Sequence, residues 1–499
     1  MEILSKEEMY AADQYTIDTL GVPSEMLMEN AAQAIVTTIL PRLQPKHRIL
    51  ILAGKGNNGG DGIAIARRLR LLGFSAKLLL LSPLEKLSGA AAFHLKLYQN
   101  HGFPLESMED CDSLIAEADW IVDAMFGIGV KGELPPTEQS LISKVNQSPA
   151  HVLSVDIPSG VSANGAVSSH SVYADVTVTI AFPKQSAYQY PAASHYGQLL
   201  VVDIGIPQPY RTARCRTWGA EEFMGTLPKR RSDAHKGTYQ KALIVGGSQD
   251  MPGAPILAAL GCYHTGIGLL QLAIPKEAKP SAAARLPETT YLTCVEQQGC
   301  LVSCPLPDDI DLIACGPGLS RNPAVAPLVR SLLQSDCPLV LDADALYFLP
   351  LFPSDWIGRT SPTILTPHPG EMARLCGCTV AEIESNRFSI SQKMAREWGC
   401  YLVLKGPYTI VTTPTGDQFV NQSGNSALAK GGSGDLLTGM ITGFLSDHHT
   451  IQQAISNAVY AHGAAADLSL REGRNPREIV PTELIKTFDR LFSPSKGEN

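Results

Sequence analysis

No apolar run in this chain of 499 residues approaches the ~20 residues needed to cross a bilayer. Its start, MEILSKEEMYAADQYTI, is acidic and amphipathic, whereas a secretory leader is basic and then apolar. Basic charge is not in surplus either: the formal net charge is -8, so neither nucleic acid nor a membrane surface is an expected partner. The eleven cysteines are scattered, and Cys376-Gly-Cys378 and Cys300-x-x-x-Cys304 lack the paired knuckles or histidine partners of a zinc site. Reduced, buried thiols in a cytoplasmic protein are the expectation. Short-period repeats and long low-complexity segments are also missing; only the tail after Phe492 reads as disordered. What remains is small-molecule chemistry on two or three domains, at ~150 residues each.

The patterning is that of two layered α/β domains. Ser5 and Glu8 have capping-box spacing and open a helix that ends at Gly21; a second helix starts near Ser24. Residues 48–53 form a short apolar strand, a glycine loop follows, residues 63–72 resume helical spacing, and 77–81 return as strand, which makes a βαβ unit. Further strands are expected at 120–123, 151–156, 176–181 and 198–203. Three of these end in Asp, at the carboxyl edge where open α/β sheets hold ligands. Between 203 and 231 the text turns irregular, and the domain boundary is placed near 215. A second strand series follows at 242–246, 269–274, 311–315, 338–342 and 401–405.

The loop GKGNNGGDG at 54–62 has G-x-G-x-x-G spacing between a strand and a helix, which supports binding of a ligand phosphate. The next strand ends near Leu81 and Ser82 without the acidic residue that grips an adenosine ribose, so an ordinary nicotinamide dehydrogenase is disfavoured. Asn57, Asn58 and Asp61 add oxygens that a pure phosphate cradle does not need. Asp123 heads DAMFGIGVKGELP and Asp156 heads DIPSGV, so two carboxylates and the Ser159 hydroxyl can converge on that loop. Such oxygens suit a hard cation, or they form Asx turns and helix caps.

Together with MENAA at 28–32, these motifs resemble the epimerase domain of the NAD(P)H-hydrate repair enzymes over about residues 1–215. The resemblance implies a Rossmann-like α/β/α domain in which Asn58, Asp123 and Ser159 hold potassium. It further implies substrate contacts at Asn57, Asn58, Gly59, Gly60 and Asp61, at Gly127, Ile128, Gly129, Val130, Lys131, Gly132 and Glu133, and at Asp156.

In the second half, residues 430–439 read KGGSGDLLTG. Such a run opens a helix with bare backbone N–H groups and sets one carboxylate, Asp435, beside them. It suits either a phosphoryl group delivered to a hydroxyl that Asp435 deprotonates, or a glycine loop whose Asp favours the positive end of the helix dipole. SDAHKGTY, GGS, MPGAPILAAL, GPGL, TPHPGEMARL, KGPYTIV and AHGAAADL accompany it in order. The series resembles the ADP- or ATP-dependent NAD(P)H-hydrate dehydratase domain, a ribokinase-like α/β fold, over about 225–490. That resemblance implies substrate contacts at Ala254, Gly318, His368 and Asp435, and an adenine-nucleotide site at Lys405, Gly406, Pro407, Tyr408, Thr409 and Gly434. Gln240 and Ile267 depart from the pattern, standing where glycine and alanine are expected.

The resemblance supplies hydrated NADH and NADPH as substrates; Asp435 is the candidate base for the hydroxyl proton, and Asp156 the candidate that assists departure and return of the hydroxyl. In a hydrated nicotinamide the hydroxyl beside the ring nitrogen is a poor leaving group, and phosphorylation cures that defect. Magnesium is expected with the nucleotide. Fusion of the two halves points to ADP over ATP, and a homo-oligomer is expected. A ribokinase-type small-molecule kinase is the alternative, since its Gly-Asp motif performs the same first step; a non-catalytic nucleotide sensor is a third reading.

Overall fold

A computed structural model of the chain describes residues 1–129, 132–207 and 214–492. The chain divides into two compact units, Met1–Ala213 and Arg214–Asn499.

The first unit opens as its sequence dictates. Ser5 Oγ accepts the Glu8 amide at 3.2 Å while the Glu8 carboxylate accepts the Ser5 amide at 2.8 Å, a reciprocal cap on the helix Lys6–Gln14. Seven strands follow, all parallel, in the spatial order Leu105–Glu106, Ser75–Leu80, Arg48–Ala53, Trp120–Ala124, His151–Val155, Val176–Ile180, Gln198–Val202. The order reverses between Arg48–Ala53 and Trp120–Ala124. Connections leave these neighbours in opposite directions, opening a crevice at their carboxyl ends. The sheet is covered on both faces: Ile49, Ile51 and Ala53 enter one core cluster, Leu50 and Leu52 the other. That double burial explains an unbroken apolar strand.

The helix after the first strand spans Asn57–Leu71, beginning well before the helical spacing expected from residue 63. Glycine is a poor helix former, so its run disguised the helix start. Here close packing demands it: a Cβ at Gly59 would lie 1.9 Å from Gly54 O, and one at Gly62 would lie 2.5 Å from Ala124 Cβ.

The second unit is built on ten strands, in the order Thr290–Tyr291, Leu269–Ala273, Lys241–Val245, Leu312–Cys315, Leu339–Leu341, Thr363–Leu365, Tyr401–Leu404, Ile410–Thr412, Gln418–Asn421, Cys215–Trp218. The pairings around Ile410–Thr412 are antiparallel; the others are parallel. Cys215–Trp218 and the helix Ala220–Thr226 add to this unit, ahead of the start at 225 expected from sequence: the strand pairs with Gln418–Asn421, and Phe223 is buried in the core. Four residues carrying an arginine offer too little periodicity to read as strand.

Gln240 leaves the turn Lys236–Tyr239 at φ 58°, ψ 169°, a conformation nearly exclusive to glycine, and its buried Oε1 has no partner among the described residues. Strain of about 1–3 kcal/mol, less about 0.5–1 kcal/mol of chain entropy that glycine loses on folding, sets the expectation for Gln240→Gly. Denaturant titration should show the second unit stabilised by about 1 kcal/mol by the same comparison; a destabilised variant would mean that Gln240 packing outweighs the strain. Ile267 is accommodated in the core. Among the described residues, no helix is long and apolar enough to cross a membrane.

Candidate active sites

The first site lies at the reversal of the seven-stranded sheet, in a cleft of ≈ 1380 Å³. Asp123, on the strand Trp120–Ala124, is fully buried. Its Oδ1 accepts from Ser159 Oγ at 2.5 Å and from the Met125 amide at 3.3 Å, and its Oδ2 from the Ser159 amide and Ser154 Oγ, both at 2.8 Å. Burial raises its pKa, and these donors pull it back down without cancelling the rise. Asn58 joins through the neighbouring loop, its Nδ2 donating to Phe126 O at 2.9 Å, while the Phe126 amide donates to Ser159 Oγ at 2.9 Å. Among the described residues, Asn58 Oδ1 is left buried with no partner. An orphaned amide oxygen in the same cluster as a buried carboxylate and hydroxyl has the donor chemistry of a hard-cation site.

Deeper chemistry gathers around Asp156. It follows the strand His151–Val155 at φ 68°, and its Oδ1 accepts the Ile180 amide at 2.9 Å, Thr179 Oγ1 at 3.1 Å and the ammonium of Lys184. Lys184 is 1% exposed. Asp13 and Asp61 face the same cleft: burial pushes Asp61 well above the carboxylate range, and burial, with Asp156 beside it, pushes Asp13 up to about 6.

The second site lies at the carboxyl edge of the ten-stranded sheet. Glycine at 432, with φ 88°, starts the helix Ser433–Phe444 and presents Asp435 in its first turn. Lys405, directly after the strand Tyr401–Leu404, donates to Asp342 Oδ1 at 2.7 Å and lies 3.9 Å from Glu371 Oε2; Thr438 Oγ1 donates to Asp342 Oδ2 at 2.7 Å. Burial opposes charge on Asp342, yet Lys405 and Thr438 outweigh it and hold that carboxyl low. At Asp435 the Lys405 charge is outweighed: burial and the Asp342 charge push it up to about 6. A Cβ on Gly434 would lie 3.5 Å from Lys405 Nζ, so the bare backbone of this turn faces the Lys405–Asp342 pair.

Other predicted residues cluster here. Gly318, at φ 64°, abuts Ala254: a Cβ on Gly318 would lie 3.0 Å from Ala254 Cβ. His368 caps the helix Pro369–Cys376, its Nδ1 accepting the amides of Gly370 at 3.0 Å and Glu371 at 3.4 Å, which leaves the proton on Nε2, 3.3 Å from Glu371 Oε1. Gly406, at φ 145°, is pressed against the buried guanidinium of Arg387, which donates to Leu404 O at 3.1 Å and Lys405 O at 3.3 Å. Thr409 Oγ1 closes the Gly406–Pro407–Tyr408 turn by donating to Gly406 O at 3.1 Å.

Two family profiles cover most of the chain: one described as NAD(P)H-hydrate dehydratase matches residues 242–490, and one described as YjeF-related protein N-terminus matches 24–186. The bifunctional NAD(P)H-hydrate repair enzyme of Moorella thermoacetica is 37% identical over 506 residues, covering 97% of this chain and 95% of its own. That of Coxiella burnetii is 33% identical over 481 residues, covering 95% and 96%. The chain belongs to the bifunctional NAD(P)H-hydrate repair enzymes. Among solved structures, the ADP/ATP-dependent NAD(P)H-hydrate dehydratase from Bacillus subtilis, co-crystallised with ATP and Mg2+, is 38% identical with a TM-score of 0.48, covering 55% of this chain and 97% of that one.

In this member of the family, Asn57, Asn58, Asp61, Gly127, Ile128, Gly129 and Asp156 line the first cleft. Gly59 and Gly60 instead serve packing, a Cβ at Gly60 lying 2.6 Å from Met28 Cε. Glu133 is turned to the surface, its carboxylate accepting from the hydroxyls of Ser168 at 2.9 Å and Ser169 at 2.6 Å, and neither it nor Gly132 lines the cleft. Val130 and Lys131 lie outside the described residues. Sequence reasoning missed Asp13 and Lys184, which carry no motif, and the first helix that sends Met9, Tyr10 and Asp13 to the cleft. It also passed over His462: its Nε2 lies 3.2 Å from Ser433 Oγ, and burial and Lys405 lower its pKa to about 4. The AHGAAADL motif that holds His462 was the available signal.

Proposed function

We propose that the first unit interconverts the R and S forms of hydrated NADH and NADPH in the cytoplasm. The second dehydrates the S form at the expense of ADP (or ATP), releasing phosphate and AMP (or ADP). The observation that carries this reading is a carboxyl of raised pKa, Asp435, opening a glycine-led helix against the Lys405–Asp342 pair.

Asp435 takes the proton of the substrate hydroxyl as the phosphoryl group arrives, and the N–H groups of 432–434 face the transferring charge. Phosphate then leaves as the ring nitrogen donates its electron pair, and loss of a neighbouring ring proton restores the dihydronicotinamide. Lys405 through Thr409 hold the nucleotide, whose magnesium neutralises phosphate charge. Ala254, Gly318 and His368 position the hydrate. In the first unit Asp156 assists departure and return of the hydroxyl, while Asn58, Asp123 and Ser159 hold potassium, which supplies a fixed positive charge near the substrate. A homo-oligomer belongs to the same reading.

The test incubates the chain with hydrated NADH and either nucleotide and follows recovery of reduced-nicotinamide absorbance. Free phosphate with restored NADH is the expected outcome; a stable phosphate ester would make the second unit a kinase. Because the base acts as the carboxylate, kcat/KM for dehydration should rise with pH through about 6 and level off above it. A profile flat from pH 5 to 8, a range of roughly three units about that value, would remove Asp435 as the base.

Epimerisation should require potassium, since Asn58 Oδ1 has no partner among the described residues. Unchanged rates after exchange of potassium for a large organic cation, with no ion found at the Asn58–Asp123–Ser159 loops by anomalous scattering, would reject that assignment.

A further inference from the structure

Three segments at the carboxyl edge of the second sheet send side chains to one spot. Arg321 lies three residues beyond Gly318, Tyr347 is on the helix Asp344–Phe348, and Arg374 is on the helix capped by His368. The guanidinium carbons of Arg321 and Arg374 sit over the Tyr347 ring, 5.5 and 5.3 Å from its centroid. Two like charges on one exposed ring repel each other, and carboxylate compensation reaches only one of them: Arg321 Nε donates to Asp344 Oδ1 at 2.9 Å. Arg374 is exposed, and among the described residues its guanidinium has the ring as its contact and no carboxylate.

The floor of the neighbouring site has the opposite character. Asp342, Glu371 and Asp435 surround a single ammonium, Lys405, already committed to Asp342. A dinucleotide whose reacting ring lies over that floor carries a diphosphate that the floor repels, so its charge needs a cationic seat at the rim. Arginine held on an aromatic face is pre-organised for the paired oxygens of a phosphate.

We propose that Arg321, Tyr347 and Arg374 form a phosphate-binding subsite at the rim of the dehydratase site, which takes the diphosphate of the hydrated dinucleotide. The inference rests on the dehydratase reading above and adds to it the group that anchors the remote end of the substrate. Arg374 supplies the free fork, Tyr347 the platform, and Arg321 the second cation, which Asp344 holds in place.

The test measures dehydration by the full chain carrying Arg374→Ala or Arg374→Lys, with substrate and nucleotide varied independently. Loss of a charge-assisted contact predicts a rise in KM for the hydrate of about ten- to a hundredfold in Arg374→Ala. The kcat at saturation and the KM for ADP and ATP should stay unchanged. Lysine should recover only part of the loss, because it keeps the charge without the fork. An equal rise for the NADH and NADPH hydrates assigns the diphosphate; a rise confined to the NADPH hydrate assigns the same subsite to the 2′-phosphate. An unchanged hydrate KM, or a rise in nucleotide KM in its place, overturns the proposal. Arg374 is exposed, and epimerisation by the same preparation reports an intact first unit. Turnover of hydrate by the unaltered chain tests the underlying reading separately.

Discussion

Asp435→Asn should lower nucleotide-dependent dehydration by roughly 10²–10⁴-fold, the scale of a lost general base, while leaving epimerisation and nucleotide affinity as they were. Asparagine keeps the shape of the first turn of Ser433–Phe444 and removes the proton acceptor. Folding should not suffer, because burial and the nearby Asp342 already disfavour charge at this position. A carboxylate that served the helix dipole alone is worth about 0.3–1 kcal/mol, or about two- to fivefold. The two roles therefore separate by magnitude at saturating hydrate and nucleotide. A variant retaining more than about a fifth of normal turnover would leave Asp435 as a helix-start residue.

Asp156→Asn should reduce epimerisation by a similar roughly 10²–10⁴-fold and leave dehydration of the S form intact. Asparagine tolerates positive φ better than most residues, so the backbone at φ 68° is preserved. A second effect must be separated from the first. Lys184 is buried against Asp156, and removing one member of a buried pair costs about 3–5 kcal/mol through the charge left behind. The variant is thus expected to be both inactive and less stable. Asp156→Asn combined with Lys184→Met removes both charges and should recover much of the thermal stability without recovering epimerisation. Activity that returned together with stability would reduce Asp156 to a structural partner of Lys184.

The parts of the molecule legible in the sequence are those where one local pattern carries the signal. The Ser5–Glu8 cap, the apolar run ending at Ala53 and the acidic strand ends at Asp123 and Asp156 are of that kind. The strands Thr363–Leu365 and Ile410–Thr412, three residues each, are too short for periodicity to register. Glycines at 59, 60 and 62 argued against a helix because the tertiary contact that demands them is invisible locally. The site divides the same way. Asn58, Asp123, Ser159 and Asp435 stand in motifs, and their partners could be sought there. Lys184 and Asp13 acquire meaning only when strand order brings a distant helix and a post-strand loop to Asp156. His368 was expected as a substrate contact, and its two nitrogens have separate neighbours: Nδ1 caps the helix while Nε2 lies 3.3 Å from Glu371 Oε1.

The edge strand Cys215–Trp218 has a consequence for biosynthesis. Its partner Gln418–Asn421 is made about 200 residues later, which at about 5–20 residues per second is a delay of roughly 10–40 s. Throughout that interval the strand and the helix Ala220–Thr226, with the aromatic side chain of Phe223, trail behind a first unit whose seven strands have all been synthesised. The nascent chain therefore carries an unpaired, partly apolar segment just beyond a finished domain for most of the time the ribosome spends on the second one. During that window a chaperone has something to hold, and a second nascent copy has an edge on which to pair.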